Sequence, residues 1–545
     1  MLRRLRGLEI GLRLRPGRGE SPIAVLIAAL ILLVSALPLV RVVAEATTAL
    51  PAIASSSALR ALLRTVITSL GGGAVAVLFG GPFAAAVALT DARAKRLLSG
   101  AAMLPLLIPG QIVALAWMQA LPHAQALYSP VGIILLLGIE HMPIGFLAAR
   151  AAMGAIPMDL VDAARAEAAS KTRLFTRILL PLSIPGLTAG FGLATVSCLG
   201  SFGVPAMIGI PARYPTLAVL IYQRLSGIGT GVLPQAASLS LPLMALSGVV
   251  AILAARLAAR TDTRTSGAGM SGAPLELGPW KGPVTVILLA IAAVMILLPL
   301  VSLLAISATK AYGVPLRPAT FTLAHYATVL GTEETSRAFL TSAWLAGISA
   351  IIGAGAAILI AVLTAWSGPP WIRRMMAVLN PLIQAPFALP GTVLAIGMIL
   401  LYLAPLPVIG SLYGTPWIIL LAYIPRFLPL ALGPVQAALA RLEPALDEAA
   451  RAQGAGFARR LRRIAVPLIA PAAASGAILV LMTAFGELTV SALLWSPGNQ
   501  TVGVLIFGLN EGGDISAAAA ASVLCLVFVC VMAAAGRLLG RMWPL

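Results

Sequence analysis

The strongest constraint in this chain is its succession of long apolar runs, among them Ile23 to Val40, Val284 to Ile306, Leu340 to Trp366 and Ala517 to Ala535. Each reaches or approaches the roughly 20 residues a helix needs to cross a bilayer, a length rare for a buried helix in a soluble core. Of the 545 residues 60% are hydrophobic and 10% charged, against about 25% charged in an ordinary soluble domain. The expected fold class is an all-α polytopic membrane protein. Hydropathy and breaks place spans near 22–42, 61–89, 98–120, 130–153, 186–208 and 234–258, and again near 283–307, 338–366, 375–403, 416–438, 470–495 and 516–540. The chain thus divides into a six-helix half at 1–258, a polar linker rich in Gly, Ser, Thr and Pro at 259–282, and a second six-helix half at 283–545.

A formal charge of +19 does not point to nucleic acid, because the Lys and Arg residues are dispersed between apolar spans instead of forming a basic face. They mark orientation. With the N-terminus inside, the inside segments hold Arg93, Lys95, Arg96, Arg165, Lys171, Arg459 and Arg460 among others, while the outside loops 121–129, 404–415 and 496–515 have no Lys or Arg. Cytoplasmic loops retain such residues, so both termini are placed in the cytoplasm, which requires an even number of spans. The Arg-rich start, Arg3 to Arg18, resembles the charged region of a signal peptide. The apolar run after it is long enough to span and has no convincing cleavage site, so it reads as a retained first helix. Cys198, Cys525 and Cys530 lie in apolar stretches without CxxC spacing and read as packing residues.

The two halves repeat each other in detail. Pro105, Pro109 and Gly110 recur at the same spacing as Pro386, Pro390 and Gly391, each set inside an apolar span. Proline removes a helix hydrogen bond and glycine admits close backbone approach, so both spans are expected to bend, either to line a pathway or as tolerated kinks. A second repeat falls in equivalent inside segments. Asp162, Ala163, Ala164, Arg165, Ala168, Ile178 and Pro181 in the first half match Glu448, Ala449, Ala450, Arg451, Gly454, Ile464 and Pro467 in the second. The small residues leave little bulk, so a short helix there fits a cleft in another protein, and the adjacent arginines suit an acidic surface or lipid headgroups. No G-x-x-x-x-G-K-[ST] phosphate loop occurs; Gly71 to Gly73 and Gly80 to Gly81 lie in a span without the lysine.

Ionisable groups inside spans are costly and usually functional or paired. Glu140 and Arg426 occupy the same repeat position, 286 residues apart, and could form an ion pair or gate, or each could find a local partner near an interface. Glu487 corresponds to Ser201 at the same offset, and it lines a pathway or pairs locally. His141 adjoins Glu140, while His123 and His325 lie in separate loops, and no His, Cys and carboxylate spacing suggests a metal cage.

The paired inside segments, residues 158–182 and 444–468, closely resemble the EAA loop of ABC importer permeases, with Asp162 for Glu and Ala168 for Gly in the first half and Val466 for Leu in the second. This resemblance implies a type I importer permease fold with no catalytic residue or bound cofactor of its own. It also implies two ATP-binding subunits, likened to a homodimer, that hold ATP and Mg and grip the loops. A periplasmic or lipid-anchored solute-binding protein and a bacterial inner membrane location follow from it. Residues 199–205 and 486–498 look like the fused permeases of ferric-iron importers, which makes iron(III) the first substrate expected, ahead of thiamine, polyamines or 2-aminoethylphosphonate. A secondary transporter driven by an ion gradient is the rival class, and the paired loops argue against it.

Overall fold

With no water in the hydrocarbon, each spanning segment must satisfy its own backbone N–H and C=O groups, and a helix does so within one segment. The computed structural model describes residues 20–121, 124–227, 229, 231–260, 275–366, 368–405 and 410–542. The Arg-rich start, His123 and most of the expected linker lie outside this set. The first half comprises α1 (Glu20–Ala54), α2 (Ser56–Ala88), α3 (Lys95–Leu107), α4 (Gly110–Ala120), α5 (Pro130–Gly154) and the short α6 (Met158–Ala166). It continues with α7 (Lys171–Gly200), α8 (Gly203–Gly209), α9 (Leu217–Leu225) and α10 (Val232–Arg260). The second half repeats the order. It runs α11 (Gly278–Ser307), α12 (Ala324–Gly331), α13 (Glu333–Ala365), α14 (Pro370–Ala388), α15 (Gly391–Tyr402), α16 (Pro416–Leu439) and α17 (Ala445–Ala452). It closes with α18 (Phe457–Phe485), α19 (Ser491–Leu494), α20 (Val502–Glu511) and α21 (Ile515–Met542). Among the described residues ten helices are long and apolar enough to span, and twelve if each bent pair counts as one.

Both expected bends are present, at 103° between α3 and α4 and 105° between α14 and α15. Pro109 and Pro390 are extended residues that cap the helices opened by Gly110 and Gly391. The fifth spans differ from expectation. They begin at Lys171 and Phe457 and end at Gly200 and Phe485, well before 208 and 495. Pro181 and Pro467 do not interrupt them, because a π-helical turn, Phe175–Leu179 or Leu461–Ala465, lies just before each proline. The wider turn accommodates the proline ring and the hydrogen bond it cannot make. The same device precedes Pro38 and Pro299 in α1 and α11.

Small residues set the packing inside each half, as expected where lipid removes the hydrophobic drive between helices. A Cβ at Gly80 would come 2.6 Å from the backbone N of Phe146, and one at Gly145 would come 2.7 Å from the Ala76 carbonyl, so α2 and α5 touch through backbone. The glycines of α2 are thus packing glycines. The first span of each half crosses to the other half. Pro38 of α1 meets Gly397 of α15, whose Cβ would lie 2.6 Å from the Pro38 carbonyl, and Pro299 of α11 lies with Val113 and Trp117 of α4 around one small apolar cavity. Each first span therefore leans on the broken span of the opposite half.

Candidate functional site

The repeated inside segments form two short exposed helices, α6 and α17. Asp162, Ala163 and Arg165 are exposed on one, and Glu448 and Ala449 on the other. Each ends in the same hydrogen-bonded cap. Ala168 N–H donates to Arg165 O at 2.9 Å and Ala169 N–H to Ala164 O at 3.0 Å, while Gly454 N–H and Ala455 N–H make the equivalent bonds to Arg451 O and Ala450 O at 2.9 and 3.0 Å. The cap residue takes the left-handed conformation, φ +77 at Gly454 and +52 at Ala168. Glycine at this position is the usual solution; the first half uses alanine, which carries the Cβ penalty.

The loops are anchored differently. In the first half the buried Val161 and Leu174 hold α6 in place, and Asp162 pairs with Arg165 on the surface at 3.3 Å. Their counterparts in the second half are Asp447 and Arg460, only 3% and 4% exposed. Arg460 pairs with both Asp447 and Glu20, itself 1% exposed at the start of α1. Asp447 also accepts from Arg451 at 2.5 Å, Arg451 donates to the Trp366 carbonyl, and Glu20 accepts from Gly368 N–H at 2.9 Å. The second loop is thus bolted to α1 and to the turn between α13 and α14. Sequence reasoning missed this network; the signal available was a pair of charges at positions where the first half is apolar.

A cavity of about 240 Å³ lies between the halves, lined by the α3–α4 corner with Pro109, Gly110 and Gln111, and by Glu140, Ser201, Arg426 and Glu487. Pro390 and Gly391 stand just behind its wall. A Cβ on Gly110 would collide with the Glu140 carboxylate, and one on Gly391 would lie 3.2 Å from the Arg426 guanidinium, so each broken span approaches the charge of its own half through a glycine. The halves also interlock. A Cβ on Gly486 would strike Pro109, Pro390 lies beside Gly200, and Gln111 Nε2 donates to the Gly486 carbonyl at 2.8 Å.

The opposite charges of Glu140 and Arg426 share this cavity but do not form the ion pair considered from the sequence. Glu140 accepts from Ser201 Oγ at 3.2 Å and lies 3.8 Å from His141 Nδ1, whereas Arg426 Nη1 donates to the Pro386 and Leu389 carbonyls, both at 2.9 Å. The C-terminal end of α14 offers unsatisfied carbonyls, a ready partner for a cation. Glu487 accepts from Val490 N–H at 2.8 Å and from Ser491 N–H at 3.1 Å, capping α19, and Ser491 Oγ lies 2.6 Å from the Tyr423 hydroxyl. Each charged group has a local partner, and the three still border one space.

Two equivalent six-span halves, matching exposed loops and a charged cavity where the halves meet define a multi-pass transport permease. The chain belongs, more particularly, to the binding-protein-dependent transport system inner membrane components, a family that matches residues 76–263 and again 358–543. It is 29% identical over 71% of its length to the probable ABC transporter permease protein y4fN of Sinorhizobium fredii, covering 67% of that protein. It is 24% identical over 74% of its length to the ferric transport system permease protein FbpB of Actinobacillus pleuropneumoniae, covering 58% of it. A putative 2-aminoethylphosphonate transport system permease, PhnV of Salmonella paratyphi A, matches at 28% over 28% of this chain and 57% of that one. The protein is therefore an ABC importer permease with both family domains in one chain.

Proposed function

We propose that this chain forms the transmembrane pathway for iron(III), released into it by a separate solute-binding protein on the periplasmic side. Two ATP-binding subunits, carrying the ATP and Mg, grip α6 and α17 on the cytoplasmic side, where both termini also lie. Their closure moves the EAA helices and switches the cavity between outward and inward access. The observation that carries the substrate reading is the composition of the cavity, where the Glu140 carboxylate, the Ser201 hydroxyl and Glu487 present oxygen groups and Arg426 is held against backbone carbonyls. Hard cations favour oxygen ligands, and passage requires binding weak enough to release. The extended match to a ferric permease through both halves supports the same reading.

The test is the solute that the cognate binding protein retains on purification, followed by uptake of labelled iron(III) into proteoliposomes that contain this chain, its ATPase and that protein. Retained iron and ATP-dependent uptake, reduced at least about tenfold by Glu140→Gln, are expected. A binding protein that retains an organophosphonate and no iron overturns the substrate reading.

A further inference from the structure

The internal repeat supplies its own control for the outer rim, the loops on the side opposite the coupling helices. In the first half Arg60, Arg213 and Arg224 stand exposed on that rim. Arg64 lies over the Tyr214 ring, 4.5 Å from its centroid, and donates to the Arg213 carbonyl at 3.3 Å, while Arg224 reaches Ser57 Oγ at 3.4 Å. These contacts tie the backbone at Arg213 and the Arg224 side chain of α9 to the start of α2. Arg213 itself has φ +53, a backbone conformation unfavourable for a residue with a Cβ and one that clusters at functional sites.

None of this positive charge is repeated intact. The counterparts of Arg64, Arg213 and Arg224 are Thr341, Asn499 and Asn510, all neutral, and Arg337, the counterpart of Arg60, is paired with Glu333. Lys310 and Arg317 lie on the second half's outer loop, but Glu333, Glu334, Glu511 and Asp514 are exposed on the same rim. In the first half Glu45, one turn from Arg41 on α1, is the acid nearest that rim. The rim therefore carries a positive half and a mixed half.

We infer that the solute-binding protein docks in one orientation only, with an acidic lobe on the Arg60, Arg213 and Arg224 surface and its other lobe on the second half. Charge complementarity of this kind steers association and fixes register more than it adds affinity. The inference rests on the importer reading.

The test uses the full chain with its ATPase in phosphatidylcholine nanodiscs and the cognate binding protein, with docking followed by surface plasmon resonance at low salt. The variant R60Q/R213Q/R224Q is expected to associate about tenfold more slowly with a shallower salt dependence. The variant R60K/R213K/R224K keeps the wild-type rate, and K310Q/R317Q changes it by less than about twofold. A photocrosslinker at position 213 marks a single, acidic lobe. Wild-type docking by the triple Gln variant, or marking of both lobes, overturns the proposal. An effect seen only when phosphatidylglycerol is added assigns the rim to lipid and also overturns it. Absence of docking on the unmodified chain refutes the importer reading itself, a result distinct from docking that ignores the arginines.

Discussion

The alanine at position 168 makes a sharp prediction, because the two exposed loops perform the same backbone turn with different residues. Both caps need a left-handed residue, and the cost of a Cβ there is about 1–2 kcal/mol, offset by roughly 0.5–1 kcal/mol of extra chain entropy lost by glycine. No atom lies within 4 Å of where a Cβ on Gly454 would sit, so Gly454→Ala meets backbone strain alone and no clash. The net effect is about 1 kcal/mol, or about fivefold in local opening. In the permease without its ATPase, amide exchange at Gly454 and Ala455 should quicken about fivefold in Gly454→Ala. Exchange at Ala168 and Ala169 should slow by a similar factor in Ala168→Gly. Unchanged exchange in both variants, or faster exchange in Ala168→Gly, refutes the strain argument.

Arg460→Leu leaves Glu20 buried without its cation and Asp447 with Arg451 alone, and should destabilise the chain by about 3–5 kcal/mol, whereas E20Q/D447V/R460L, which neutralises Glu20 and puts the first half's Val and Leu at the other two positions, recovers most of that loss; denaturant titration in detergent measures both. Gly80→Ala pushes a methyl onto the Phe146 backbone and should cost about 1–3 kcal/mol in the same assay. Asp91 accepts from Leu277 N–H at 2.8 Å and pairs with Lys281 at 2.6 Å, and these two contacts, the N–H first, hold its pKa below the usual carboxylate value. A depressed pKa means that docking of residues 275–281 on this loop is present above about pH 4 and lost as pH falls through the folded pKa. Spin-label distances between the two segments should broaden on acidification, and Asp91→Asn should reproduce that broadening at pH 7.

Much of this molecule is legible in its sequence, because spanning length, kinks and the repeated inside segments depend on local composition and spacing. The bends at Pro109 and Pro390 are of this kind. The starts of α7 and α18 are not, since Pro181 and Pro467 look like helix breakers until a π-turn absorbs them. At the site, Glu140, Ser201, Arg426 and Glu487 could be gathered by the 286-residue repeat, yet their partners could not. Arg426 turns to the carbonyls at the end of α14 and Glu487 to the N–H groups of α19, choices set by helix ends that depend on the break geometry. The bond from Arg460 to Glu20 joins residues 440 apart in sequence and follows only from the crossing of α1 onto the opposite half.

In the function proposed above, this one chain forms the pathway and ATP drives it through α6 and α17. Its most direct test is uptake of the solute retained by the binding protein into proteoliposomes with this chain as the sole permease, with and without the ATPase subunits. Uptake should require ATPase and ATP together and be abolished when Ala168 and Gly454 are both replaced by Trp. Uptake that continues without the ATPase, or survives that double substitution, contradicts it.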